Sequence, residues 1–220
     1  MSSAPKKSSV DNRAPALPFN RYVVFVVIAV CGFAADLITK YAVFNWLGVA
    51  PFFLDKSNAA AVARWRGDEH LDHLSWLWDQ HFGFQTSLNT GALFGMGAGR
   101  WWIFASLSVL ALIGIWTWLF IYRAATDRWL TVALGFVTGG ILGNLYDRLG
   151  LWNTAGIDAV FRHAVRDWIL FQWKGVPLFD PWPNFNIADS LLVTGAIMLV
   201  VHAIVWRENP QPAVKTAIAA

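Results

Sequence analysis

Asp36 and Lys40 are four residues apart, so on a helix they share one face and can pair. Both sit inside a long apolar run, where a charged group is costly and by default marks a functional site. Asn144, Asp147 and Arg148 close a second such run, Asn186 and Asp189 open another, and Asn89 and Asp167 stand in the stretches between. Two carboxylates in an apolar setting cannot both ionise easily, so one keeps a proton near neutral pH. Such a pair divides base and acid roles around a water and hydrolyses an amide with neither a metal nor a covalent intermediate. Asp167 and Asp189 are the two acids best placed for this. The Asp36–Lys40 pair admits two readings, a helix-stabilising ion pair or a direct contact to substrate. No Ser/His or Cys/His set competes, because the single cysteine, Cys31, lies within the first apolar run. One cysteine also excludes an internal disulfide framework and a multi-cysteine metal site.

Other motifs are weaker alone. Asn89-Thr90-Gly91-Ala92-Leu93-Phe94-Gly95 is a run of small residues that would let backbone approach backbone or a ligand closely. In Gly139-Gly140-Ile141-Leu142-Gly143-Asn144-Leu145-Tyr146-Asp147-Arg148, Gly139 and Gly143 permit close helix packing. Asn144 and Arg148 face the same way one turn apart, and the rigid donor fork of Arg148 suits a carboxylate or a lipid phosphate. The plainer reading is a packing motif followed by an arginine reaching for the interface. Glu69-His70-Leu71-Asp72-His73 and His81 raise a metal site. Without a second cluster at ligand spacing, a solvated amphipathic helix is the simpler account, and no metal or cofactor is expected.

These residues are held by a chain of 220 residues that is 56% hydrophobic and 14% charged, with a mean hydropathy of +0.45 and fourteen tryptophans. Soluble domains carry roughly 25% charged residues, and an aromatic excess suits side chains at lipid headgroups. The seventeen Lys and Arg form no basic stripe, so nucleic acid is not an expected partner. Four apolar stretches are long enough for a bilayer of about 30 Å, which takes about 20 helical residues. They run over about 22–47, 101–122, 129–149 and 187–206, joined by long loops at about 48–100 and 150–186. Residues 1–21 read as a disordered tail and not as a secretory leader, and 207–220 form a second tail. The tails and the 123–128 turn hold eight Lys/Arg in 41 residues, against eight in 91 for the long loops with Arg148. Both termini are therefore expected in the cytoplasm. Every unusual polar residue then falls on the extracytoplasmic side, which argues for one site there. Trp168–Trp173 alternates like a strand, Lys174-Gly175 can turn and Val176–Phe179 can return, a hairpin that would carry Asp167 towards Asp189.

Read in order, Asp36-Leu37-Ile38-Thr39-Lys40, Asn89-Thr90-Gly91-Ala92-Leu93-Phe94, the Gly139–Arg148 run, Val165-Arg166-Asp167-Trp168 and Phe185-Asn186-Ile187-Ala188-Asp189-Ser190 resemble the ordered motif set of lipoprotein signal peptidase (signal peptidase II). The resemblance covers about residues 22–206. It implies a mainly α, polytopic protein of the bacterial inner membrane, with four transmembrane helices and a small β-containing extracytoplasmic subdomain. The implied activity is aspartic endopeptidase cleavage of prolipoproteins just before a diacylglyceryl-cysteine. Asp167 and Asp189 would be catalytic, and Asn89, Gly91, Asn144, Arg148 and Asn186 would bind substrate. Asp36, Lys40 and Asp147 would support them. Membrane lipid and cyclic peptides of the globomycin class are the further partners implied.

Some positions depart from that pattern. Arg148 to Asp167 is about ten residues longer than the resemblance implies, and Asp158 lies nearer the usual spacing. Asp167 is preferred because Val165, Trp168 and Ile169 keep the apolar flanks of the motif. His163 stands where a glycine is usual, and Asp55–Asp79 reads as an insertion in the first outer loop. The rival from another class is a small ion-coupled carrier using Asp36, Lys40 and Asp189. A non-catalytic scaffold is a third reading. Four spans without an internal repeat, and carboxylates away from the midplane, argue against the carrier.

Overall fold

The computed structural model describes residues 17–55, 57, 74–91 and 97–205. The Glu69–His73 cluster and the Ala92–Gly95 part of the small-residue run lie outside these. Four long helices, α1 (Phe19–Leu47), α2 (Trp101–Trp116, continued by a π-helical turn over Thr117–Ile121), α3 (Arg128–Arg148) and α4 (Ile187–Val205), are each long and apolar enough to cross a membrane. In lipid every backbone polar group must bond within its own segment, so runs this apolar become helices.

The central helix is α3, packed on α1, α2 and α4. Its glycines make that possible. A methyl on Gly139 would stand 3.0 Å from the Ala29 carbonyl oxygen of α1, and one on Gly140 would stand 2.5 Å from the Ala188 carbonyl oxygen of α4. At Gly143 it would collide with the Asp36 carboxylate and touch the Ala188 methyl at 3.0 Å. The expected small-residue packing therefore serves two neighbours at once. Outward faces remain apolar, as at Val30, Leu110, Ile113, Val193 and Ile204, which are exposed where lipid would lie.

At 29 residues α1 is about 43 Å long, more than the roughly 30 Å of bilayer hydrocarbon requires. Its last turns use that surplus: Val43, Phe44 and Leu47 are buried with Leu88, Trp152, Ile157, Trp168 and Ile169 in a core outside the helix bundle. This core lies under an antiparallel sheet of β1 (Leu74–Trp78), β2 (Phe82–Asn89) and β3 (Val165–Phe171), in that order. The β2–β3 register pairs Ser87 with Asp167 and Asn89 with Val165.

The fold class is the one expected, but the hairpin at 168–179 is not. Residues 165–171 form a strand whose partner is β2, far away in sequence, while Val176–Phe179 make a tight turn in which the Phe179 amide bonds the Val176 carbonyl. The chain instead returns through an isolated bridge between Ile169 and Phe185, with hydrogen bonds of 2.8 and 3.2 Å. That bridge sets Asn186 beside β3 and starts α4 there. Periodicity along 165–179 could show that a strand exists but not which strand it would meet.

Gly143→Ala is expected to destabilise the protein by about 1–3 kcal/mol through overpacking. Gly114→Ala, on the open face of α2 with nothing within 4 Å, should be neutral. Thermal unfolding of both variants in the same detergent checks the contrast.

Candidate active site

At the end of the bundle where the sheet sits, β3 presents Asp167, the first turn of α4 presents Asp189, the end of β2 presents Asn89 and the last turns of α3 present Asn144 and Arg148. Three asparagine amides join them, and each amide is oriented by a group that can only donate. The Lys40 ammonium donates to Asn144 Oδ1 (3.2 Å), so Asn144 Nδ2 points at Asp189 Oδ1 (2.8 Å). The Asp189 backbone N–H donates to Asn186 Oδ1 (2.9 Å), so Asn186 Nδ2 points at Asp167 Oδ1 (2.7 Å) and also at Asn144 Oδ1 (3.1 Å). The Gly91 backbone N–H donates to Asn89 Oδ1 (3.0 Å), so Asn89 Nδ2 points at Asp167 Oδ2 (3.2 Å). The backbone N–H of Asn186 donates to Asp189 Oδ2 (3.1 Å), which leaves each carboxylate oxygen with one donor.

Behind this layer lies a buried group of charges. Lys40 Nζ is 2.7 Å from Asp36 Oδ2 and 2.9 Å from Asp147 Oδ2, all three side chains being fully buried. Asp147 also receives the backbone N–H of Arg166 (3.0 Å) and its guanidinium through Nε and Nη2 (2.9 and 2.7 Å). Asp36 Oδ1 accepts the Ala188 backbone N–H (2.9 Å), one of the unpaired donors of the first turn of α4. Two acids and two bases thus cancel, and each finds hydrogen-bond partners as buried charges must.

Asn89, Gly91, Asn144, Arg148, Asp167 and Asp189 line one cavity of about 590 Å³. Its other wall is made by Trp182–Phe185 and by Ser190, Val193 and Thr194 on α4, so it runs from the two carboxylates down the lipid-facing side of that helix. Burial, and next the charge of Asp189, push the Asp167 carboxyl well above the usual range for a carboxylate. Arg148 Nη2 donates to the Gly91 carbonyl (2.8 Å) and its guanidinium lies over the Phe104 ring at 4.5 Å.

Not every residue expected to touch substrate is on the cavity wall. Asn186 is wholly buried and spends its amide on the Asp167 carboxylate, Asn144 and the Asp189 backbone N–H, so it ties β3 to the first turn of α4 from behind. Of the two readings of Asp36–Lys40, the ion pair is what forms. Asp158 lies apart from the cavity and caps a short 3-10 turn, accepting the Val160 backbone N–H at 3.0 Å. Among the described residues no three potential metal ligands converge, and His81 stacks on Trp173 at 4.9 Å. The sequence reading missed Arg166, which neutralises Asp147 from the strand face opposite Asp167. Its signal was the Arg166-Asp167 adjacency, since neighbouring strand residues point to opposite faces. It also missed Trp182–Phe185 and the α4 residues Ser190, Val193 and Thr194, whose composition says nothing of a cavity.

A family model described as signal peptidase (SPase) II matches residues 28–205. The chain belongs to the signal peptidase II family. It is 44% identical over 211 residues to a lipoprotein signal peptidase of Rhodopirellula baltica, covering 94% of this chain and 83% of that protein. A lipoprotein signal peptidase of Pseudomonas putida is 36% identical over 136 residues, 60% of this chain and 71% of that one. In fold, the chain is similar to a bacterial membrane enzyme solved by the in meso method at 2.3 Å, with a TM-score of 0.62 and 23% identity over 91% of this chain and 98% of that one. Family membership and the four apolar helices make it a bacterial membrane peptidase, and the carrier reading is left without support.

Lys40→Met strands Asp36 without a base and leaves Asp147 with Arg166 alone. The expected cost is about 3–5 kcal/mol. Asp36→Asn together with Lys40→Met removes one charge of each sign and should recover part of it. Unfolding midpoints of the single and double variants measure the difference.

Proposed function

We propose that the chain is an aspartic endopeptidase that removes the signal peptide from prolipoproteins by cutting before a diacylglyceryl-modified cysteine, with Asp167 and Asp189 as the catalytic pair. The observation that carries this is two carboxylates on one cavity wall, Asp167 and Asp189, linked through the hydrogen-bonded amides of Asn186 and Asn144, with burial holding the Asp167 carboxyl well above the usual carboxylate range. With the proton on Asp167, the ionised Asp189 takes a proton from water as the water oxygen bonds the scissile carbonyl carbon. Asp167 gives its proton to the carbonyl oxygen. When the C–N bond breaks, the nitrogen takes the proton from Asp189 while one hydroxyl of the tetrahedral diol returns its proton to Asp167, so the new acid and amine leave and one proton is again on the pair. No cofactor enters this scheme.

Arg148 binds substrate backbone beside the pair, and Asn89 and Asn144 hold the two acids in register. The acyl chains lie in lipid against α4, where the cavity wall passes from Ser190 to Val193 and Thr194. The basic 123–128 turn and tails support an inner-membrane topology with both termini in the cytoplasm and the cavity on the outer side. Cyclic peptides of the globomycin class would occupy the same cavity.

Asp167→Asn and Asp189→Asn are each expected to lower cleavage of a diacylglyceryl-modified prolipoprotein by at least about 10²–10⁴-fold with the fold retained, while Asp158→Asn retains activity. Activity of Asp167→Asn with loss in Asp158→Asn would overturn the assignment. The rate should also fall at high pH: as pH rises through the raised Asp167 value the shared proton leaves. A rate that stays flat from weak acid into the alkaline range would count against a shared proton.

A further inference from the structure

We propose that His163 is a positioning residue that holds Arg148 in the cavity by capping the end of α3. This rests on the reading of Arg148 as a substrate-binding group. The last four carbonyls of a helix have no partner within it. In α3 three of them are met by backbone: Leu145 by the Leu149 N–H (2.9 Å), Tyr146 by Leu151 (3.2 Å) and Asp147 by Gly150 (2.9 Å), with Gly150 at φ +67° as the left-handed residue this ending uses. The fourth, that of Arg148 itself, is met by a side chain from fifteen residues on: His163 Nδ1 stands 2.9 Å from it. A carbonyl only accepts, so Nδ1 carries the proton.

The imidazole is held in place. It stacks on the Trp101 indole at 4.0 Å and 12°, and a methyl on Gly150 would stand 3.3 Å from the ring. Trp101 and Phe104 occupy the same face of the first turn of α2. Through His163 the one fixes the Arg148 backbone, and the other lies under its guanidinium. Arg148 is 8% exposed, lines the cavity, and its Nη1 is buried with no acceptor among the described residues, whereas Nη2 is committed to Gly91. A donor prepared in this way is only as well placed as the helix end that carries it. His163 ends the extended 150–162 segment, so that segment acts as a strap from α3 back onto its own last residue.

Steady-state cleavage of a diacylglyceryl-modified prolipoprotein by the full chain in lipid tests this. His163→Phe keeps the stack and removes the donor, and is expected to raise KM about 3–10-fold with kcat within about twofold. His163→Asn, whose Nδ2 occupies nearly the position of Nδ1, should bring KM back. In an Arg148→Met background, His163→Phe should add nothing further. Should His163→Phe not fold, Trp101→Leu removes the platform and leaves the donor, and the same rise in KM and the same loss of effect without Arg148 are expected. An unchanged KM, a rise that persists undiminished with Arg148→Met, or no rescue by Asn would overturn the proposal. If Arg148→Met itself leaves KM unchanged, it is the substrate-binding reading of Arg148 that fails.

Discussion

An ammonium group buried in a helix bundle has to be surrounded by acceptors, and most of this site follows from how Lys40 meets that demand. Its three neighbours are Asp36 on its own helix and Asp147 and Asn144 on α3. Two of them carry charge and neutralise it. The third is an amide, and an amide whose oxygen is claimed has only its nitrogen left to offer. Lys40 therefore decides, from behind, that Asn144 donates towards Asp189. The same logic repeats at Asn186 and Asn89, where backbone N–H groups claim the oxygens and turn the nitrogens onto Asp167. In the proposed chemistry the acids are met by donors that need not reorganise when charge moves between them.

This arrangement separates two kinds of charge. Asp36, Lys40, Asp147 and Arg166 are paired and cancel, so they hold helices α1, α3 and strand β3 together. Among the described residues, Asp167 and Asp189 form no ion pair with a base. They are bridged by neutral amides, and in a dry setting like charges placed close together favour keeping one proton. The proposed aspartic chemistry needs an unneutralised pair, and the paired layer behind provides a rigid wall on which such a pair can be kept.

The extracytoplasmic side of the proposed topology is built by economy of length. The surplus turns of α1 supply Val43, Phe44 and Leu47 to the core beneath the sheet, and the sheet in turn carries Asp167. The bridge from Ile169 to Phe185 then delivers α4 with Asp189 in its first turn. The membrane bundle and the small sheet are therefore one mechanical unit, and the two acids are supplied by its two halves.

Four long apolar runs, the i, i+4 spacing of Asp36 and Lys40, and the glycine stripe of α3 were legible from the chain alone, because each is a local property. Length and hydropathy decide a span, and helical period decides which residues share a face. The five ordered motifs resembled one peptidase family for the same reason, since each is short and contiguous. What periodicity could not decide was pairing at a distance. That β3 meets β2 and not a hairpin partner, that Asn186 turns inward as a bridge, that Arg166 answers Asp147, and that Asp158 caps a turn away from the cavity all depend on which surfaces the closed chain brings together. Hydrogen bonds and buried charges are satisfied only when partners from separate elements arrive, and their identity belongs to the tertiary structure.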